Sequence, residues 1–316
     1  MNGVSLILPL SALILAPLLL GIVNRTKAFF AGRQGRPLLQ LYYDLSKLSR
    51  KGAVYSRTTS WVFRAGPVVG LASALTGLLV LPLGGAPAPV SFPCDLVFLT
   101  YLLGLMRFFT VIAALDTGSA FEGMGASREV QFSALAEPAL LLGLAAVGQT
   151  VQEAGSSGLN GAGSFLSLSG MYTRLSMESW MNMGPALLLV AGALLVVFLA
   201  ENSRIPVDDP DTHLELTMIH EAMVLDHSGP DLAMILYAAS LKMWILGALL
   251  MGILMPVRTG NLWLDGAAAV GGLFLLAVIT GVVESVMARL RLIRVPQLLV
   301  GAGFLSTLAL VLVLWS

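Results

Sequence analysis

The sequence predicts an all-α polytopic membrane protein of about eight transmembrane helices, with an amphipathic helix lying along its cytoplasmic surface. Three observations lead there. Hydrophobic residues make up 57% of the 316, charged residues only 11%, and the mean hydropathy is +0.86. A soluble domain carries roughly 25% charged residues, and burial inside one globule does not account for that deficit. The apolar residues also gather into runs long enough to cross a hydrocarbon core of ~30 Å, which takes about 20 helical residues. Finally, lysine and arginine fall almost entirely in alternate connections between those runs.

Taken in order, the runs are Val4–Val23, Ala65–Leu83, Asp95–Leu115, Phe132–Val151, Gly184–Ala200, Leu232–Pro256, Gly266–Val286 and Pro296–Trp315. No positive region precedes the first, which spans a full membrane thickness and reads as a retained helix, not a cleaved signal. Fourteen of the 18 basic residues lie in the connections at about 24–64, 116–131, 201–231 and 287–295, against Arg174 and Arg258 in the opposite ones. The positive-inside rule therefore puts these connections in the cytoplasm and both termini outside. On the other side Gly84–Pro93 is a short Pro/Gly connector, and Gln152–Met183 has room for a short surface helix. No internal repeat or soluble domain interrupts the chain, so residues 1–316 read as one membrane domain.

Several chemistries drop out. Formal charge is zero, which offers no footprint for nucleic acid. Cys94 is the lone cysteine, whereas an iron–sulfur cluster takes four thiolates; a buried, small apolar role is expected for it. His213, His220 and His227 are spaced by seven, which on a helix separates neighbours by ~10.5 Å. That is too far to share a metal with bonds near 2 Å. No histidine lies inside a span to hold a haem.

The cytoplasmic connections carry the information. In the first, Leu38, Leu41, Leu45 and Leu48 recur at helical spacing among basic residues, so Pro37 is expected to open an amphipathic surface helix. Topology needs charge alone, so the added apolar stripe suits a docking surface for a soluble partner. In the third, Pro206 and Pro210 enforce a turn. Thr212-His213-Leu214-Glu215 then reads as a capping box starting a helix to about Leu225. Ionisable residues also sit inside or at the edge of spans: Arg107, Glu137, Glu201, Lys242 and Glu284. A charge at the bilayer centre costs ~2.5–3.5 kcal/mol on insertion scales. Arg107 or Lys242 is thus expected to neutralise a buried acid, foremost Glu137.

The run Glu201-Asn202-Ser203-Arg204-Ile205-Pro206-Val207-Asp208, continued by Thr212–Met223, resembles the membrane-anchor subunits of formate hydrogenlyase and related energy-converting nickel–iron hydrogenases. These are homologous to the complex I membrane subunit that seats the quinone-reducing arm. Further matching stretches are Gly32–Gln40, Asp44–Leu48, Phe121–Glu129, Ala134–Pro138 and Arg291–Gln297, spread over nearly the whole chain. Val207 stands where complex I has phenylalanine, and Gly35-Arg36-Pro37 where it commonly reads R-x-G-P-N. Both departures point to the hydrogenase branch and away from a bound quinone.

The resemblance implies a non-redox subunit of an oxidoreductase complex, with no cofactor of its own. The nickel–iron centre and iron–sulfur clusters would sit in its partners: hydrogenase large and small subunits and an iron–sulfur subunit, with antiporter-like subunits alongside in the bilayer of a prokaryotic inner membrane. Arg33, Arg36, Gln40, Asp44, Lys47 and Arg128 would form the docking surface. A proton path would begin at Glu201, Asp208, Glu215 and Glu221, with Glu122 and Glu129 opposite, and continue through Glu137 and Glu284. The alternatives are a quinone-site subunit of a complex I-like dehydrogenase, a stand-alone ion transporter and a passive anchor.

Overall fold

A computed structural model describes residues 3–154, 166–208, 218–256 and 258–315. Its helices are α1 (Gly3–Phe30), α2 (Gln40–Ser49), α3 (Trp61–Val80), α4 (Asp95–Asp116), α5 (Ala120–Ala154), α6 (Leu168–Arg174), α7 (Met177–Glu201), α8 (His220–Met223), α9 (Gly229–Leu254), α10 (Leu262–Val286) and α11 (Val295–Trp315). Eight of these, all but α2, α6 and α8, are long and apolar enough to cross a membrane.

The bundle is built around α9. Two-thirds of its apolar stretch is buried, against half or less for every other span, and it packs on α1, α3, α7 and α10. A helix apolar on all sides belongs in such a place; Trp244 and Ile245 on it are fully enclosed. Around it, α3 pairs with α4, α1 with α10, and α11 with α5 and α7. The α1–α10 pair is close because α10 presents Gly281, where a Cβ would lie 2.6 Å from the Thr26 Cβ and 2.9 Å from the Val23 carbonyl.

Proline shapes α1 as well. Pro17 has no amide to give the Leu13 carbonyl one turn earlier, and the Tyr237 hydroxyl of α9 donates to that oxygen instead at 2.8 Å. A broken backbone bond in one span thus becomes a tie between two. The Tyr42 hydroxyl of α2 donates to the next carbonyl, Ile14.

Several expectations need correction. Residues 120–131, read as part of a connection, are the first turns of α5. At 35 residues this helix is ~52 Å long and outreaches the bilayer core. α7 begins seven residues before the predicted span, through a kink at Met183 just ahead of Pro185. α2 starts at Gln40 and buries no residue, as suits a helix lying along a surface. Cys94 is exposed, not buried, because it forms the left-handed turn (φ +65°) that opens α4.

The capping box at Thr212–Glu215 lies outside the described residues. Of the helix predicted to run to Leu225, the described part is helical only over His220–Met223. Burial explains the break: Met218, Ile219, Ala222 and Met223 are enclosed, and Ile219 packs its carbonyl onto Gly125 of α5 in a non-helical conformation.

Candidate functional site

Four spans meet in one ion network centred on an arginine. Arg107 of α4 is nine-tenths buried, and its guanidinium meets three carboxylates. Nη1 donates to Glu137 Oε1, Nη2 donates to Glu201 Oε1 at 2.5 Å, and Nε lies 3.6 Å from Glu129 Oε1. Glu129 and Glu137 are eight residues apart on α5, just over two turns, so both project from the same face. Glu129 reaches the cluster only because α5 begins so early. From α9, Lys242 Nζ approaches the other oxygen of Glu201 at 3.6 Å.

Three carboxylates therefore face two cations, and a single proton taken up by the cluster makes it neutral. Only Glu137 is well exposed, at 39% of its side chain, whereas Glu129 and Glu201 stand at 15% and 7%. The network is closed on the inside and opens outward at Glu137. A void of about 10 Å³ between Glu129, Ser133, Glu201 and Asp208 is near the size that holds one water molecule.

Past Glu201 the chain reverses in a tight cap. Ser203 takes the left-handed conformation (φ +51°). The amides of Ser203 and Arg204 fold back onto the Ala200 and Leu199 carbonyls at 3.1 and 2.8 Å, closing a Schellman motif. This turn aims Arg204 at Glu284 of α10, 3.3 Å away, which Lys27 of α1 also reaches at 3.0 Å. Four residues on, Asp208 accepts a bond from Arg289 at 2.8 Å and faces the His220 amide at 3.5 Å.

Between the networks lies a cavity of about 520 Å³. Glu201, Asp208, His220, Glu221 and Lys242 form its polar end; Leu20, Leu41, Ile235 and Leu236 supply apolar wall. Burial, reinforced by Lys242 and opposed by Glu201, pushes the His220 imidazole down to about 4, so it is neutral at physiological pH. His227, also on the wall, stacks on Phe63 at 3.9 Å, and burial lowers its pKa too.

The remaining predicted residues scatter. Glu122 accepts from the Asp226 amide at 3.2 Å and, among the described residues, joins neither network. Glu215 lies outside the described residues. Arg36, Gln40 and Asp44 line the cavity, with Gln40 donating to Asp44 at 2.9 Å; Arg33 and Lys47 are exposed. Arg128 is turned inward and donates to the Met218 carbonyl at 2.9 Å. Sequence reasoning overlooked Lys27, Arg204 and Arg289 as internal partners, because a base beside a span reads first as topology. The placement of Arg204 three residues after an acid at a helix end was the available signal.

Eight apolar helices enclosing a branched ion network define a multi-pass membrane protein that carries charge within its bundle. The chain belongs to the NADH dehydrogenase family, which matches residues 3–316. Formate hydrogenlyase subunit 4 of Escherichia coli (strain K12) is 32% identical over 295 residues, 92% of this chain and 91% of the relative. Hydrogenase-4 component C of the same strain is 31% identical over 244 residues, 77% and 72% of the two chains. Among solved structures, the fold matches a chain of the membrane-bound sulfane sulfur reductase, an archaeal respiratory membrane complex. The TM-score is 0.81 at 18% identity, covering 99% of this chain and 100% of the other. The likeness to formate hydrogenlyase and hydrogenase membrane subunits read from the motifs is thus shown.

Proposed function

We propose that this chain is the non-redox membrane subunit of an energy-converting hydrogenase complex in a prokaryotic inner membrane, with both termini outside. It seats the nickel–iron hydrogenase arm, through an iron–sulfur subunit, on its cytoplasmic end and carries part of a proton-coupling path. The observation that carries this reading is the Arg107 network. It joins the acids at the end of the bundle to Glu137, whose exposed carboxylate faces out of the chain, where an antiporter-like neighbour would take the proton on.

The chemistry follows from the charge count. With three acids and two bases, the cluster changes between one negative charge and neutrality by binding one proton. Glu201 sits between Arg107 and Lys242, so shifting either base changes how firmly that proton is held. Asp208, Glu221 and the small void beside Glu129 offer a polar approach from the cavity side. Electron transfer belongs to the partners.

Purification of the tagged chain from native membranes tests the assignment. A nickel–iron large subunit should co-purify. Recovery of the chain alone, with ion transport when reconstituted in liposomes, would instead make it a transporter. The cavity lies in the size range of small-molecule sites, ~300–1,000 Å³, so tightly bound quinone in the purified complex would move the chain to the quinone-reducing branch.

A further inference from the structure

The chain turns back sharply after α1. Gly32, at φ +62°, lets the Gly32 and Arg33 amides donate to the Phe29 and Ala28 carbonyls at 3.1 and 2.9 Å. Residues 33–36 then return along the last turn of α1. Gly35 is pressed so close that a Cβ there would lie 2.5 Å from that of Ala28. The reversal leaves a cleft of about 480 Å³ between the ends of α1 and α10, lined among others by Asn24, Lys27, Phe30, Arg33, Arg36 and Glu284.

The charge of this cleft is lopsided. Glu284 is the one acid lining it, and that carboxylate is already engaged by Lys27 and Arg204. Arg33 and Arg36 are exposed and enter no ion pair among the described residues. Beside them Phe29 and Phe30 stand 79% and 53% exposed, edge to face at 5.6 Å. Two unneutralised guanidiniums at the shared end of two membrane spans suit a phosphate at the water–lipid boundary, and exposed aromatic rings suit the acyl chains beneath it. A soluble anion would match the first feature and gain nothing from the second.

We infer that this cleft binds the headgroup of an anionic phospholipid, with Arg33 and Arg36 donating to its phosphate oxygens and Phe29 and Phe30 resting against its chains. The site is independent of the coupling role but shares Arg33 and Arg36 with the expected docking surface, so it is tested on the full chain without partners, where loss of docking does not enter the readout.

The test is photolabelling in phosphatidylcholine nanodiscs that contain a little phosphatidylglycerol with a photoreactive headgroup, or the matching phosphatidylcholine probe. Adducts are mapped by mass spectrometry. The phosphatidylglycerol probe should label residues 24–36 well above the phosphatidylcholine probe. Each basic contact near the surface is worth about fivefold in binding, so Arg33→Ala with Arg36→Ala should cut labelling about twenty-five-fold. Arg33→Lys with Arg36→Lys, which keeps both charges, should retain most of it and shows that the turn survives substitution. Equal labelling by both probes, or labelling indifferent to the double alanine change, overturns the proposal. A large excess of inorganic phosphate should leave labelling unchanged; displacement would make this a soluble-anion site and overturn the lipid assignment.

Discussion

Glu201→Gln separates the charge of the network from its shape. Glu201 Oε1 accepts from Arg107 at 2.5 Å, and Oε2 lies 3.6 Å from Lys242. The amide keeps a carbonyl for Arg107, so a charge-assisted bond worth ~1.5–3 kcal/mol becomes a neutral-acceptor bond nearer ~1 kcal/mol. With the weaker Lys242 contact also lost, the cost is about 2 kcal/mol, which for a chain of this size lowers the melting temperature by roughly 3 °C. Glu201→Leu offers Arg107 no acceptor and should cost about 3–5 kcal/mol, as breaking a buried pair does. The complex carrying Glu201→Gln should therefore assemble and turn over artificial dyes at the normal rate. An amide binds no proton at neutral pH, so proton uptake into vesicles per turnover should fall at least tenfold. Vesicle pH indicator and dye reduction are followed on the same preparation. Normal pumping by an assembled Glu201→Gln complex would refute the path through this residue and leave it a structural tie.

Arg107→Leu strips the shared cation from three carboxylates and should cost about 3–5 kcal/mol; melting at the wild-type temperature would show that the network does not hold the bundle together. Arg36→Glu with Lys47→Glu should release the soluble arm while leaving the chain in the membrane, measured by co-purification. Retention of the arm even in high salt, which screens exposed charges, would refute that surface. His220 gives a pH dependence: the unfolded imidazole takes its proton near 6.5 and the folded one only near 4. As pH falls through that window the unfolded state binds more protons, so up to about 3 kcal/mol of stability is lost. Melting curves between those pH values should show the loss in the parent chain and a flatter profile in His220→Gln.

Charge in an apolar run is conspicuous because it is expensive, and for that reason Arg107, Glu137 and Lys242 stood out in the sequence. Eight spans were equally legible, since helix length is set by the bilayer. What the sequence hid depends on tertiary contact. Glu129 read as part of a cytoplasmic loop because nothing local shows that α5 continues outward to Ala120; packing of α8 onto Gly125 supports that extension. Lys27 and Arg289 met the topology rule so well that their second use, as partners of Glu284 and Asp208, had no separate signal, and for Arg204 the one signal was its place three residues after an acid at a helix end. The helix expected from Thr212 failed at its described end for the opposite reason. Its apolar residues are spent on burial against α5, not on an amphipathic face, and periodicity alone cannot tell these apart.

The segment Glu201–Asp208 ties these pieces together. Its first residue belongs to the Arg107 network, Arg204 to the Glu284 pair that spans α1 and α10, and Asp208 to Arg289 beyond α10. The Leu290 amide also donates to the Pro206 carbonyl at 2.9 Å, fastening the α10–α11 connection to the same turn. Eight consecutive residues thus hold one member of each of three ion contacts, whose other members lie on α4, on α10 and in the connection after α10. Buried charges left without partners cost several kcal/mol each, so the segment cannot shift without all three contacts being remade. A displacement of the segment therefore disturbs Glu201 and, through Arg107, the contact with Glu137. Such a linkage needs no electron carrier in the chain, only a turn rigid enough to move as a unit, and the Schellman closure at Ser203 supplies that rigidity.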